Sequence, residues 1–333
     1  MSESPAFLDS GRPDVPDLVV PRGVTTFYLP HRPVRGRLIR LGPLADALLT
    51  RHNNHPLVTR LAGEALALVA ALATALKFRG SFSLQAKGDG PLGMLLADCT
   101  DMGALRGYAR AEPDRLAALL AETPEPSAEH LLGKGYLALT VDQGPETERH
   151  QGIVAIEGET LAEMALHYFR TSEQLRCTLR LACAHTLSGW RASALVMERI
   201  AHGGGLDPDL NAEAQEESWR TATILAATVK DAELLDDQLP AERLLYQLFH
   251  TEGVAADRPR ALAFGCRCSR QRLSGILETF ATDDLDHMTV DGSIVMTCEF
   301  CNLDFRFPRE EMRGQAVEPR SQDSEGGDSH HEH

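Results

Sequence analysis

The sequence predicts an α+β fold: a mostly antiparallel sheet domain with helices, a helical linker, and a small C-terminal domain built around four cysteines. Three observations lead to this prediction. Short alternating segments separated by turn signals dominate residues 24–200. A glycine run at 203–205 precedes an acidic segment with helical periodicity. Four of the seven cysteines fall near the C-terminus. Strands clustered between hairpin turns, with few helices, are typical of an antiparallel α+β domain.

Residues 24–202 form the predicted sheet domain, and its clearest signal is a hairpin. Residues 81–87 alternate polar and apolar side chains, the turn Gly88-Asp89-Gly90-Pro91 follows, and residues 92–99 read as the returning strand. Further strands are predicted at 34–41, 105–111, 136–141, 151–156, 178–184 and 193–200, and helices at 56–76, 113–122 and 160–175. Residues 1–23 carry four prolines among scattered acids and are predicted to be a disordered extension.

Residues 203–238 are predicted to be a helical linker. Between 207 and 238 nine acidic residues stand against one arginine and one lysine, and the apolar stripe is thin. Such a helix depends on its neighbours, because an isolated helix of this length is marginal in water. Residues 239–310 open on an apolar helix after Pro240 and are predicted to form the second domain, with 311–333 as a disordered tail.

The net charge of −15 disfavours nucleic acid and membranes as partners, because an acidic surface repels phosphate backbones and anionic head groups. The N-terminus lacks the apolar stretch behind a basic region that a secretory signal requires. The longest apolar run, residues 65–76, is too short to span a bilayer and is interpreted as part of a buried helix. We therefore expect a cytoplasmic protein whose thiols are kept reduced.

The cysteine cluster reads Cys-x-Cys at 266–268, then 29 residues, then Cys-x-x-Cys at 298–301. Two close pairs of thiolates can occupy the corners of a tetrahedron around Zn²⁺, with Zn–S distances of about 2.3 Å. The sequence therefore predicts one Zn²⁺ per reduced chain. Its predicted ligands are Cys266, Cys268, Cys298 and Cys301.

The segment between the two pairs has local signals that would bring them together. Ser269 is predicted to cap a helix, and Asp291-Gly292 to make a tight hairpin turn. A strand is predicted to follow the second pair, over residues 302–307. That strand argues against a thioredoxin-like redox pair, because a Cys-x-x-Cys of that kind stands at the start of a helix.

The other cysteines, Cys99, Cys177 and Cys183, stand alone and are interpreted as small buried apolar residues. The histidines lack the spacing of a metalloprotease site, and those at the C-terminus are interpreted as part of a solvated tail. No nucleophile–base pattern emerges, so we expect a protein that is not an enzyme.

The cysteine spacing resembles that of the heat-shock protein 33 family of redox-regulated chaperones, and the resemblance extends over roughly residues 24–308. The matching motifs are Leu76-Lys77-Phe78, Gln85-x-x-Gly88-Asp89-Gly90-Pro91, Leu105-Arg106-Gly107, Gly133-x-Gly135-Tyr136, Gln151-Gly152-Ile153-Val154, Glu157-Gly158-Glu159-Thr160-Leu161, Tyr168-Phe169 and Ser172-Glu173-Gln174-Leu175.

The resemblance implies a substrate-binding sheet domain, a helical linker that lies on it, and a zinc domain that senses oxidants such as hypochlorite or peroxide together with heat. It implies a holdase that binds unfolding client proteins and prevents their aggregation, inactive while reduced and zinc-bound, and a homodimer on activation. In the oxidised form we expect the disulfides Cys266–Cys268 and Cys298–Cys301.

The free energies of zinc binding and of domain folding suit such a switch. A structural zinc site contributes about 10–16 kcal/mol to folding, whereas a domain of about 70 residues is stable by only about 4–10 kcal/mol. Disulfides within each pair would restore about 1.5–2 kcal/mol each, while a Cys266–Cys298 bridge would restore about 3.5–4 kcal/mol. The choice of pairing therefore decides whether the domain stays folded.

Two other functions fit the same cysteines. One is a zinc ribbon that binds a protein partner without redox switching, since the net charge counts against nucleic acid. The other is a thiol–disulfide oxidoreductase, which would need one exposed cysteine of low pKa. Comparing the oxidised and the reduced protein in an aggregation assay separates all three.

Overall fold

The computed structural model of the protein describes residues 17–75, 79–144, 147–200 and 211–312. These divide into two compact units. The larger unit contains the described residues of 17–266 together with 299–302, and the smaller unit contains 267–298 and 303–312. The glycine run at 203–205, the motif at 76–78 and most of the two predicted disordered ends lie outside the described residues.

The larger unit is built on an eleven-stranded sheet. Its strands are β1 (Val19–Tyr28), β2 (Val34–Arg40), β3 (Ser81–Gly88), β4 (Leu92–Thr100), β5 (Ala104–Ala111), β6 (Gly135–Asp142), β7 (His150–Ala155), β8 (Cys177–Thr186), β9 (Gly189–Arg199), β10 (Ala255–Ala256) and β11 (Arg260–Phe264). They run in the order β7-β6-β3-β4-β5-β11-β1-β2-β9-β8, and β10 pairs with β1. Among these pairs only β11–β5 is parallel, which confirms the predicted mostly antiparallel sheet.

Eight α-helices are described in the larger unit. They are α1 (Pro43–Leu49), α2 (Pro56–Ala73), α3 (Pro113–Glu122), α4 (Ala128–Leu132), α5 (Leu161–Thr171), α6 (Ala212–Ala227), α7 (Asp231–Leu235) and α8 (Ala241–Phe249). The smaller unit contains two more helices and a three-stranded antiparallel sheet. These are α9 (Arg270–Leu277), α10 (Thr282–His287), β12 (Thr289–Val290), β13 (Ser293–Thr297) and β14 (Asp304–Pro308).

Alternation along the central strands gives the large sheet two apolar faces. On β2, Ile39 belongs to the core that contains α2, whereas Leu38 belongs to a second core that contains α6, α7 and α8. On β9, Val196 and Leu195 divide in the same way. Because successive side chains of a strand point to opposite faces, α2 covers one face of this region and α6–α8 cover the other.

The helix α2 is the core helix of the larger unit. It begins at Pro56, whose fixed φ suits the first turn of a helix. Among the described helices it is long and apolar enough to cross a membrane by length and composition, but 72% of its apolar window is buried inside the protein. This agrees with the buried helix predicted there.

The acidic linker does form a helix, α6, with one narrow buried stripe. The side chain of Asn211 caps it by accepting a hydrogen bond from the backbone N–H of Ala214. Trp219, Ala222 and Ala226 are buried, whereas the neighbouring Ile224 is 57% exposed. The helix is therefore stabilised by its contacts with the sheet and not by the helix propensity of its residues.

Two predicted boundaries differ from the structure. Residues 1–23 are predicted to be disordered, yet β1 begins at Val19. The strand tolerates Pro21 because this residue lies where the pairing with β11 shifts register, so its missing N–H costs no hydrogen bond between the strands. The second domain is predicted to begin at 239, yet residues 239–266 belong to the larger unit, because α8 stacks Phe249 on Phe27 and β11 joins the sheet.

The predicted tail also begins too early. Met312 is buried in the core of the smaller unit, after a short 3₁₀ turn at Arg309–Glu311. Residues from 313 onward lie outside the described residues.

Candidate metal centre

The sulfur atoms of the four clustered cysteines lie within 4.8 Å of one another. Cys266 and Cys301 are buried, and Cys268 and Cys298 are half-buried. The structure thus brings together all four residues named as zinc ligands from the sequence, the pair at 266 and 268 and the pair at 298 and 301.

The first pair follows directly from the end of β11. The N–H of Gly265 donates to the carbonyl of Leu105, 2.8 Å away, and a side chain at residue 265 would meet the backbone of Ala104 at 2.5 Å. Glycine therefore allows the end of β11 to approach β5 closely, and this approach fixes the position of the next residue, Cys266. After Cys268, Ser269 caps α9 by accepting a hydrogen bond from the N–H of Arg272, as predicted.

The second pair follows the β12–β13 hairpin. Its two turn residues, Asp291 and Gly292, have φ values of 49° and 75°, the left-handed conformation that a two-residue hairpin turn requires. Beyond the pair, the N–H of Cys298 donates to the carbonyl of Leu303 at 3.0 Å, and Asn302 also has a positive φ. These features close a knuckle around Cys298 and Cys301.

The tip of this knuckle, residues 299–302, belongs to the larger unit. The ring of Phe300 lies 4.2 Å from the guanidinium carbon of Arg106 and packs edge to face against Tyr108, with ring centroids 5.2 Å apart. Arg106 is itself fixed by Asp98, which accepts from its Nε at 3.0 Å. Phe300 therefore occupies a seat formed by charged and aromatic side chains of β4 and β5.

Backbone contacts fix the same tip. Arg51 donates from Nη1 to the carbonyl of Cys301 at 3.2 Å, and Asn302 donates from Nδ2 to the carbonyl of Arg51 at 2.7 Å. A ring nitrogen of His52 lies 3.3 Å from the carbonyl of Phe300. Sequence reasoning missed this set. The usable signal was an aromatic residue between two metal ligands, where a solvated knuckle would carry a polar one.

The three remaining cysteines lie elsewhere and in different surroundings. Burial, with the nearby Glu64, raises the pKa of the Cys183 thiol, and burial with Glu198 raises that of Cys177 to about 11. Cys99 is buried on β4. The thiolate is the nucleophile and the metal ligand, so a thiol of raised pKa is poorly suited to either role.

The four clustered cysteines fit a zinc ion. A tetrahedral site with Zn–S distances of about 2.3 Å has sulfurs about 3.8 Å apart, and the observed spacing lies within reach of that arrangement. Four soft thiolate donors favour zinc over the hard cations that oxygen ligands bind. Closing all four positions with protein ligands is typical of a structural site.

Comparison with known proteins gives a consistent result. A family model described as Hsp33 protein matches residues 23–308. A 33 kDa chaperonin from Caulobacter vibrioides is 38% identical over 284 residues, which cover 84% of this chain and 92% of the relative. A 33 kDa chaperonin from Yersinia pestis is 34% identical, with 84% and 90% covered.

A solved structure shares this fold. The crystal structure of a 33 kDa chaperonin, a heat shock protein 33 homolog from Thermotoga maritima, matches with a TM-score of 0.70, covering 87% of this chain and 96% of that one. At 21% sequence identity this likeness concerns the fold alone.

Proposed function

The chain belongs to the Hsp33 family, and on that premise we propose that it is a redox-regulated holdase. It binds unfolding proteins and prevents their aggregation under oxidative stress. The reduced, zinc-bound chain is inactive, and oxidation activates it. The observation that carries this proposal is the cluster of four cysteine sulfurs.

Cys266, Cys268, Cys298 and Cys301 are the proposed ligands of one Zn²⁺ per reduced chain. An ion held by these residues would cross-link the Cys266–Cys268 pair to the Cys298–Cys301 pair. Oxidation joins Cys266 to Cys268 and Cys298 to Cys301. Each pair of thiolates gives two electrons to one peroxide, whose O–O bond breaks, and with two protons from the solvent the peroxide leaves as two waters. Sulfurs in a disulfide no longer act as thiolate ligands, and the zinc is released.

The smaller unit has little else to stabilise it. In the part of the chain that the structure describes, its core contains six buried side chains, and the half-buried Cys268 and Cys298 pack against them. A contribution of about 10–16 kcal/mol from the metal exceeds what so small a core provides. The unit therefore unfolds when the zinc leaves, and residues 299–302 lose the conformation that seats Phe300.

The linker is proposed to respond next. In the proposed linker, residues 203–238, the described part from 211 onward packs on the sheet domain, 24–202, which is the proposed substrate-binding domain. Release of the linker exposes the apolar face of the sheet that it covers, which includes Leu38, Leu195 and Met197. Unfolded client proteins bind there, and two activated chains associate as a homodimer. The chain acts in the cytoplasm and needs neither nucleic acid nor membrane as a partner.

The test compares two forms of the full-length protein. Zinc-loaded reduced chain and peroxide-oxidised chain are each added to a thermally unfolding client, and light scattering reports aggregation. We expect suppression at near-stoichiometric ratios by the oxidised form alone, with loss of four thiols and one zinc per chain. Equal suppression by both forms would indicate a constitutive binding module. Peptide mapping that found mainly cross-pair disulfides would contradict the proposed unfolding.

A further inference from the structure

The face of the sheet under the linker carries arginines in phase with its apolar residues. On β9, Arg191 and Arg199 alternate in step with Leu195 and Met197, and on β8 Arg180 is in step with Ala182. Arg40 stands two residues after Leu38 on β2. By the two-residue period of a strand these side chains share the face that α6 and α7 cover. The face is therefore an apolar floor with a basic rim.

The acids of the linker pair with this rim. Glu216 accepts two hydrogen bonds from Arg176, at 2.6 and 2.7 Å, and a third from Arg199 at 2.8 Å. This pairing raises the pKa of Arg176 and lowers that of Glu216. Asp237 accepts from Nε of Arg191 at 2.6 Å, although the Arg191 side chain is only 7% exposed.

Arginines of the rim also hold both ends of α7. Arg180 lies 3.4 Å from Asp231 at the start of α7. Arg40 donates to the carbonyls of Glu233 and Asp236, at 2.8 and 2.9 Å, and to that of Leu239. Charge and helix-end dipole therefore both favour this rim as a partner for an acidic helix.

We infer that this face is the binding surface for clients of one chemical class: amphipathic segments that carry carboxylates beside apolar side chains. The inference rests on the proposed function and names its substrate class. The linker is the resident occupant, and it shows what the surface recognises. When it leaves, Arg191 loses the carboxylate of Asp237 and Arg40 loses three linker carbonyls, and a client that supplies carboxylate and carbonyl oxygens restores those interactions. A basic or purely apolar segment does not.

The basic rim also makes the surface selective. A strictly apolar cover would be matched by any unfolded chain. A surface that fits an acidic cover disfavours basic segments, because their positive charges would lie against the arginines of the rim. In a chain of net charge −15 the rim is a local basic site.

The test measures binding of two synthetic peptides to the full-length chain by fluorescence anisotropy. One peptide has the sequence of residues 211–239. The control has the same sequence with Glu216→Gln, Asp231→Asn and Asp237→Asn. We expect the native peptide to bind the oxidised chain about 10-fold more tightly than the control, since each pair at such a surface contributes a few tenths to one kcal/mol. We expect neither to bind the reduced chain, and the preference to shrink at high salt.

A variant of the protein supplies the matched control. Arg180→Gln/Arg199→Gln, at positions that are not fully buried, should reduce the preference, because Arg176 and Arg191 still pair with Glu216 and Asp237, while the oxidised chain still binds both peptides. Equal affinity of the two peptides for the unaltered oxidised chain, or no binding of either, would overturn the inference. Because anisotropy reads binding and not aggregation, that failure is distinct from a failure of the oxidised chain to suppress aggregation.

Discussion

Two helical covers of the same sheet, α2 and α6, differ in almost every respect that affects stability. Thirteen of the 18 residues of α2 are buried, against four of the 16 in α6. The charged residues of α2 are Arg60 and Glu64, whereas α6 has three acids and one arginine. One helix is held by apolar contact along most of its surface, and the other by a narrow stripe and ion pairs.

The difference shows how a single fold can have a permanent side and a releasable side. The hydrophobic stabilisation that a helix contributes grows with the apolar area that it buries. The helix α2 therefore cannot leave the sheet without unfolding the unit. Exposed ion pairs contribute little individually and weaken with salt. Local opening occurs where buried apolar contacts are few, and α6 has that character.

The largest expected effect comes from removing metal ligands. Cys298→Ser/Cys301→Ser should take zinc content from one per chain to none and unfold the smaller unit, since about 10–16 kcal/mol of binding free energy is lost. The sheet and α2 should remain folded. Atomic absorption and hydrogen exchange measure the two results. Cys177→Ser, outside the cluster, is the control that should keep its zinc, and full zinc in the double variant would contradict the assignment.

A buried charge in the linker should release it without oxidation. Ala226 is 2% exposed, and Asp in its place is a buried unpaired charge that costs several kcal/mol. We expect Ala226→Asp to suppress client aggregation while reduced and zinc-loaded. Ala227→Asp, one residue along on the exposed side of α6, is the matched control and should stay inactive.

The same change on the other face should behave differently. Ala67 of α2 is fully buried, and Ala67→Asp should unfold the larger unit, not activate it. Circular dichroism separates these outcomes. An Ala67→Asp variant that stays folded and becomes active would mean that α2, too, is a releasable cover.

A fourth prediction concerns Glu64, the one acid of α2. Burial raises the pKa of Glu64 to about 7, with Arg60 opposing and Asp231 adding to the rise. A raised carboxyl pKa means that the folded chain binds more protons, so stability is full below about pH 4.5 and is lost as the pH rises through about 7. Glu64→Gln should therefore raise the free energy of unfolding at pH 8 by up to about 3 kcal/mol.

Urea denaturation of the reduced variant and the unaltered chain at pH 5 and pH 8 tests this. We expect near-equal stability at pH 5 and a clear gain for Glu64→Gln at pH 8. A gain of the same size at both values would show that titration of Glu64 is not its source.

The smallest effects are expected from single arginines of the rim. Arg191→Gln removes a short, mostly buried pair with Asp237 and should weaken linker attachment by about 1–2 kcal/mol. Arg180→Gln removes a long, exposed pair and should cost less than about 1 kcal/mol. Protease cleavage rates within residues 211–239 of the reduced chains report both. Equal rates for the two variants would mean that burial does not rank these pairs.

Local patterns predicted much of the fold. The alternation of 81–87 and 92–99 around a Gly-rich turn predicted a hairpin, and β3 and β4 pair as one; α3 spans the predicted residues 113–122. Both depend on neighbours along the chain. The four clustered cysteines were identifiable for the same reason, because their spacing and the turn at Asp291 are local.

Features that depend on distant partners were missed. β1 contains Pro21 and Gly23 and reads poorly as a strand, yet it pairs with β2, β10 and β11. The helix α8 is near the cysteines in sequence, but its apolar side chains pack on the sheet. The seat of Phe300 joins residues about 190 positions apart; an aromatic residue between two metal ligands indicates that it packs on something, but no pattern in one sequence identifies its partners.

The measurement that tests this account most directly is hydrogen exchange of the full-length chain, reduced and zinc-loaded or oxidised, followed separately in α2 and in α6–α7. We predict that oxidation removes protection from the smaller unit and from α6–α7, while the amides of α2 keep theirs. Retained protection of α6–α7 in an oxidised chain that suppresses aggregation, or loss of protection in α2 as well, would contradict the division into a permanent and a releasable cover.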